Sequence, residues 1–465
     1  MKKTLILGLA LALVGGVAYA NFCARDVVPA SSLLLPYAVV DLNADGSPDV
    51  NGYTTLFAVT NVSSTHELVH FTVWSAESNP VVDWDELFTG YDVWTINFRD
   101  LLTGHFDFFD TGIARLHPTP AGGPPPYGPT TNQAGIVSNL ALADDPAVPF
   151  ANCNFPYGYH PNYGTAIVTN LQNDINAQTT QDVSGCKPSG TAISSPPWLT
   201  GLGASPVFFY VTADVVGACN QAFPDETGYW TGNAGGKYPI DRNVIIGDVI
   251  WVNSSLNYSE SMPAVHLEAD PAAAHVGFNA FYNRYTPAGV YDDREPLGTA
   301  FAFRYINTYA SSQVIVWKDH SEADDPHVHT TQACLPYAYY AWDEQENAIA
   351  RGGGGPSGFN TAEPNALPFE TQSAPLNQAN FDGLSAVNGW VMLVFDPSIP
   401  ANQDTATVTQ AWVAVRYLAG GYSTATEAAV LANTNCFTNQ ILPQLGINVN
   451  PNVGATFPQT SVYLP

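Results

Sequence analysis

Between Leu33 and Tyr417 the sequence returns repeatedly to short runs of β-branched and aromatic residues, each bounded by Gly, Pro, Asn or Asp. Such runs read as strands, because branched and aromatic side chains fit a pleated surface and the bounding residues supply turns. They cover 33–42, 55–61, 68–74, 207–216, 243–252, 264–268, 299–305, 313–317, 390–395 and 407–417. In one of them Leu68, His70, Thr72 and Trp74 alternate with Val69, Phe71 and Val73, the period of a strand. Helical period is scarce. Ile167, Leu171 and Ile175 fall four apart, which predicts one short helix over 166–176.

The expected fold class is therefore mostly β: two β-sandwich modules, Ig-like or jelly-roll-like, with long loops and little helix. The expected division is a leader at 1–20, an N-terminal module at 21–235 and a C-terminal module at 236–465. Two long Gly/Pro-rich stretches, 118–206 and 346–380, read as loop insertions, and long loops are where binding residues concentrate. A weak repeat supports duplication. Thr55-Leu56-Phe57-Ala58-Val59 followed by Val73-Trp74 matches Thr299-Ala300-Phe301-Ala302-Phe303 followed by Val316-Trp317. Each copy is expected to form a hairpin whose second strand ends in Trp.

The chain opens as an exported one does. Lys2 and Lys3 precede an apolar run from Leu5 to Val14, and Ala18-Tyr19-Ala20 is a small-x-small cleavage site. Cleavage after Ala20 is expected, which gives a secreted or periplasmic protein. No later run reaches the ~20 apolar residues of a membrane helix, so no transmembrane segment is expected after cleavage. Loss of Lys2 and Lys3 leaves 12 basic against 41 acidic side chains, a formal charge of −29. That field repels nucleic acid and anionic lipid and makes both poor partners, so no nucleic-acid partner is expected. Charged residues are only 12% of the chain, so its surface is mainly neutral and polar, suited to an extracellular glycan or protein partner. The six cysteines, Cys23, Cys153, Cys186, Cys219, Cys334 and Cys436, lie beyond the leader with no C-x-x-C among them. In an exported chain that even number predicts disulfides, with Cys334 joined to Cys436 and the other four paired among themselves.

Several words carry a resemblance: Ala24-Arg25-Asp26-Val27, Leu34-Leu35-Pro36-Tyr37, Thr55 to Asn61, Arg294-Glu295-Pro296-Leu297 with Thr299 to Tyr305, and Gln410-Ala411-Trp412-Val413. They resemble a family of secreted bacterial β-rich proteins to which no activity is attached. The resemblance touches both halves of the chain and implies export and a β-rich body.

Two segments have the chemistry of metal sites. Asp41, Asn43, Asp45 and Asp49 take positions 1, 3, 5 and 9 of a D-x-[DN]-x-[DN]-G loop with Gly46 at the sharp turn, as calcium requires. Position 12 is Gly52 rather than Glu, and the flanks read as strands; a hairpin tip with Asx-turns is the competing reading. His320, Asp324, His327 and His329 form the second group. In an extended segment His327 and His329 share one face about 7 Å apart, and two imidazoles with a carboxylate suit zinc. A solvated polar loop competes. Calcium and zinc are the cofactors these groups would take.

Two catalytic signatures are absent: the chain lacks G-x-S-x-G and a phosphate loop. Asp83, Asp85 and Glu86 around Trp84 have the residue types of a glycosidase but read better as surface acids beside a core Trp. Tyr157, Tyr159, Tyr163, Tyr229 and Trp230 have faces for sugar stacking, against anchoring loops to the body. The catalytic residues are unassigned. The expectation is a secreted, non-enzymatic structural or binding protein, with a secreted hydrolase, metal-assisted or acting on carbohydrate, as the alternative.

Overall fold

The computed structural model describes residues 27–76, 78–104, 115–116, 161–175, 206–218, 222–232, 237–269, 280–287, 289–319, 337–354, 367, 369–377, 381, 384, 388–395, 410–419 and 422–432. Strands dominate it. The first ten are β1 (Ser32–Val40), β2 (Thr54–Asn61), β3 (Glu67–Trp74), β4 (Pro80–Phe88), β5 (Val93–Asn97), β6 (Arg115–Leu116), β7 (Val207–Val216), β8 (Ile245–Asn253), β9 (Tyr258–Pro263) and β10 (Val265–Leu267). The remainder are β11 (Ala300–Ile306), β12 (Ser311–Lys318), β13 (Tyr337–Asp343), β14 (Ala348–Gly354), β15 (Thr371–Pro375), β16 (Asn388–Val394), β17 (Ala411–Ala419), β18 (Tyr422–Glu427) and β19 (Ala429–Ala432). Two α-helices, α1 (Phe98–Thr103) and α2 (Pro161–Ile175), and a single turn, α3 (Thr227–Thr231), complete the set of α-helices among the described residues. In α2 the expected stripe of Ile167, Leu171 and Ile175 is buried.

Four antiparallel sheets result. The first has the order β5-β2-β8-β9, the second β10-β1-β7-β3-β4-β6, the third β15-β12-β17-β18 and the fourth β14-β13-β16-β11-β19. Side-chain alternation tells how they stack. On the second sheet, Phe71 and Trp84 meet Phe57 and Trp94 of the first sheet. The opposite face of the second sheet presents Phe208 and Tyr210, which meet Phe369 and Trp317 from the third-sheet side. The third sheet is covered on both faces in turn. Ile315, Trp317, Trp412 and Ala414 join the core shared with the first two sheets. Val314, Val316, Val413 and Val415 join a separate core with Phe301, Tyr339, Val391 and Leu393 of the fourth. The second and third sheets are therefore interior layers.

Sheet membership changes between Leu267 and Ala300: β8 and β10 pair with strands before residue 217, β9 pairs with β8, and β11 onward pair among themselves. The repeated words fall on β2 with β3 and on β11 with β12. They do not form hairpins. In each copy the chain crosses from one sheet to another, and Trp74 and Trp317 end up on the two sides of the same interface, both against Tyr210. The stretch 346–380 is not all loop, for it supplies β14 and β15.

The expected disulfides are corrected: the structure holds none among the described residues, the Cys334–Cys436 pair included. All six lie outside the described residues. The described body is closed by sheet ladders and by two apolar cores. Among the described residues no helix is long and apolar enough to cross a membrane.

Burial of both faces of the third sheet has a direct consequence. Val314→Ala and Ile315→Ala, neighbours that point in opposite directions, should each destabilise the protein by more than 1 kcal/mol in urea denaturation, because each empties part of a different core. In a sheet with one wet face, one of the two would change stability by no more than about 0.5 kcal/mol.

Candidate functional site

The densest polar chemistry lies on the face of the second sheet that turns toward the third. Register builds it. Ser32 of β1 is opposite Asp214 of β7, Asp214 is opposite His70 of β3, and His70 is opposite Asp85 of β4, so four polar residues form one row across four strands. Thr212, Thr72 and Asp83 form the next row. Every one of these side chains is buried. The roof is supplied by Tyr229 and Trp230 of α3 and by the segment running from Ala280 to Leu297.

His70 is held between carboxylates. Its Nδ1 lies 2.8 Å from Oδ1 of Asp85, and its Nε2 lies 3.7 Å from Oδ2 of Asp83. Burial by itself would lower the imidazole pKa, but the charges of Asp85, Asp83 and Asp214 together with the Asp85 hydrogen bond outweigh it, and the pKa is raised. Folding therefore favours the protonated form of His70 relative to a free imidazole. Asp214 is the acceptor of the row: the hydroxyls of Tyr229 and Tyr282 each donate to its Oδ2 at 2.8 Å, and Ser32 donates to its Oδ1. Arg294 closes the group, donating to Ser32 through Nε and to Asp292 through Nη1 at 2.9 Å. Burial, and then the neighbouring Asp214 charge, drive the Tyr229 and Tyr282 hydroxyls well above their usual pKa, so both remain donors.

A second cluster centres on Arg284. Its Nη1 donates to Asp319 at 2.9 Å and to Glu370 at 3.1 Å, while its Nη2 donates to Ser78 at 3.0 Å and to Tyr210 at 3.2 Å. Tyr210 belongs to the second sheet, whereas Asp319 follows β12 and Glu370 precedes β15 in the third. One guanidinium thus spans the interface between two layers. A third clamp joins Arg416 of β17 to Glu260 of β9 at 2.9 Å, with the guanidinium 5.1 Å above the ring of Trp251. Such pairs are strong only when every donor finds an acceptor in the dry interior.

The residues singled out from sequence fall elsewhere. In the loop from Asp41 to Tyr53, Asp45 accepts from the backbone N–H and hydroxyl of Ser47 at 2.9 and 2.6 Å. Asp49 accepts from Asn51 N at 2.9 Å, Asp41 accepts from Tyr53 N at 2.8 Å, and Asn43 donates to Ser47 and Pro48. The Ser47 hydrogen bonds hold the Asp45 carboxyl below its usual pKa. Gly52 packs on Asp41 so closely that a Cβ there would come within 2.4 Å of the Asp41 Cβ, which accounts for the missing Glu. His320, Asp324, His327 and His329 lie outside the described residues, as do Tyr157 and Tyr159. Among the described residues no group of three or more His, Cys, Asp or Glu is arranged to hold a metal. Asp83 and Asp85 are interior rather than surface acids, on the face opposite Trp84. Tyr229 and Trp230 are buried anchors of the roof.

The row around Asp214 escaped sequence reading because its members are scattered from Ser32 to Arg294 and only strand order unites them. A signal was present: polar residues stand at every second position in His70-Phe71-Thr72, Asp83-Trp84-Asp85 and Thr212-Ala213-Asp214. No protein-family model matches the sequence, no curated protein matches it, and no solved structure matches the fold.

The His70 pair gives a pH dependence with a definite sign. A pKa raised on folding stabilises fully below the unfolded value, about 6.5, and the stabilisation is lost as pH rises through the higher folded value. Urea midpoints measured from pH 5 to 9 should therefore fall on the alkaline side, and His70→Gln should flatten that limb. Separately, Arg284→Met should destabilise by about 3–5 kcal/mol, because it leaves Asp319 and Glu370 buried without their shared cation. The same denaturation assay reads both.

Proposed function

We propose that the chain is an exported, non-enzymatic binding protein of the bacterial envelope or exterior that holds neutral polysaccharide on the outer face of its fourth sheet. The reading takes the first and second sheets as one β-sandwich and the third and fourth as another, with the buried charges as braces between them. The observation that carries the proposal is a row of side chains across three strands. Trp342 of β13 is opposite Trp390 of β16, and Trp390 is opposite Arg304 of β11. Their neighbours Phe303, Tyr305, Ala341 and Val391 point inward to the core, so the row points out.

Trp390 is 41% exposed, an unusual state for so large an apolar ring on a sheet. Arg304 stands 5.8 Å over its ring and is bound by Glu344 at 2.6 Å, so the cation brought to the platform is matched by an anion. Tyr340, two residues before Trp342 on the same face of β13, stacks against it at 6.4 Å. A flat, electrically balanced aromatic surface offers apolar area with a polar tip, the chemistry that suits the faces of sugar rings. The strongly negative protein as a whole disfavours anionic polymers, which leaves neutral glycans as the matching class.

Affinity electrophoresis through gels containing β-glucan, mannan or xylan tests the reading. At least one neutral polysaccharide should retard the protein, and Trp390→Ala should weaken the retardation at least tenfold. No reducing ends should appear on prolonged incubation. Unretarded migration in all three gels overturns the binding assignment, and released reducing sugar overturns the non-enzymatic one.

A further inference from the structure

The interface between the second and third sheets encloses a cavity of about 10 Å³ walled by Trp74, Tyr210, Thr212, Phe281, Tyr282, Arg284, Tyr285 and Trp317. Most polar atoms of that wall are spoken for. Trp74 donates to Thr212, Tyr210 donates to Ser78, and Tyr282 donates to Asp214. Two are not: the hydroxyl of Tyr285 and the indole N–H of Trp317 have no hydrogen-bond partner among the described residues, although both residues are more than nine-tenths buried. An unmatched hydroxyl or N–H in a dry interior is destabilising by about 1–3 kcal/mol, so two around one cavity call for an occupant.

We propose that this cavity is a binding site for a single structural water, which accepts from Trp317 Nε1 and exchanges a hydrogen bond with the Tyr285 hydroxyl. The occupant's class follows from the walls. The volume matches one water and excludes any organic ligand. A cation is excluded by the Arg284 guanidinium, which lies 4.6 Å from the Tyr285 ring. An anion would be repelled by Glu370 and Asp319, which already share that guanidinium. A water is neutral, donates and accepts, and needs only two to four polar partners. It would extend the Arg284 cluster across the layer interface, from Tyr285 in the roof to Trp317 in the third sheet.

The sign of one isosteric substitution distinguishes a wet cavity from a dry one. Tyr285→Phe keeps the ring beneath Arg284 and removes only the hydroxyl. With a water in place, the variant loses a hydrogen bond, and its thermal midpoint should fall by about 2 °C, the order expected for one bond in a body of this size. In a dry cavity the same change removes an unmatched polar atom, and the midpoint should hold or rise. A second readout uses the wild-type protein: a water-to-indole cross-relaxation peak at the Trp317 N–H, with the sign of a long-lived water, should be present and should weaken in Tyr285→Phe. A lower midpoint with that peak supports the site. Either an unchanged or raised midpoint, or no such peak in the wild type, overturns it.

Discussion

An antiparallel sheet ordinarily keeps one face in water, where its polar side chains need no partner in the protein. The second and third sheets have no such face. Each alternating side chain on β3, β7, β12 from Val314 onward and the start of β17 enters one packed interface or another. Any polar residue there must find its match inside, since an unpaired charge in the interior is destabilising by several kcal/mol. The rest of the architecture answers that constraint. Arg284, Arg294 and Arg416 are three of only 14 basic residues in the chain, and all three are buried against carboxylates between layers. In a protein this acidic, basic side chains are scarce, and their placement in the interior marks where the layers must be held in register.

Buried ion pairs contribute little net stability compared with a well-packed apolar contact, because desolvation offsets most of the attraction. What they add here is directional. Two apolar sheets can slide or rotate on one another at small expense, since the hydrophobic effect has no preferred direction. The guanidinium of Arg284 permits only the alignment in which Asp319, Glu370, Ser78 and Tyr210 converge on it. The row from Ser32 through Asp214 and His70 to Asp85 does the same for the roof, because Tyr229, Tyr282 and Arg294 meet the sheet at one register only. Aromatic stacking, such as Trp74 between Tyr210 and Tyr285, fills the space between these fixed points.

Much of the strand content was legible because the residues that propagate a pleated surface are chemically distinct. The runs at 55–61, 68–74 and 207–216 coincide with β2, β3 and β7 to within a residue. The strands that escaped reading violate those preferences. β4 carries Asp83, Asp85 and Glu86, acids that disfavour a strand unless partners await them in the interior. β14 ends in Gly352-Gly353-Gly354, which by composition is loop. In β18, Ser and Thr alternate without a strong apolar face. The layering was not legible at all. Alternation in Leu68 to Trp74 tells that two faces differ, but not that the polar face is covered by another sheet. That is a property of strand order, which depends on contacts between residues hundreds of positions apart.

The stacking also decides where a partner is able to bind. Two interior layers leave the outer faces of the first and fourth sheets as the broad sheet surfaces of the described body. The first carries Leu56, Ala58, Ile246 and Ile250, half-buried and without an aromatic ring. The fourth carries Trp342, Trp390 and Arg304. Gly389, adjacent to Trp390, explains how two tryptophans fit side by side on neighbouring strands. A Cβ at that position would come within 2.0 Å of the Trp342 carbonyl oxygen, so β16 approaches β13 more closely there than any other residue would allow. Close approach of the backbones brings the two indoles into one row. On this platform Arg304 and Glu344 neutralise each other. The same economy of charge that forces the interior clamps therefore leaves the outer aromatic surface balanced, and binding there rests on ring faces rather than on ionic attraction.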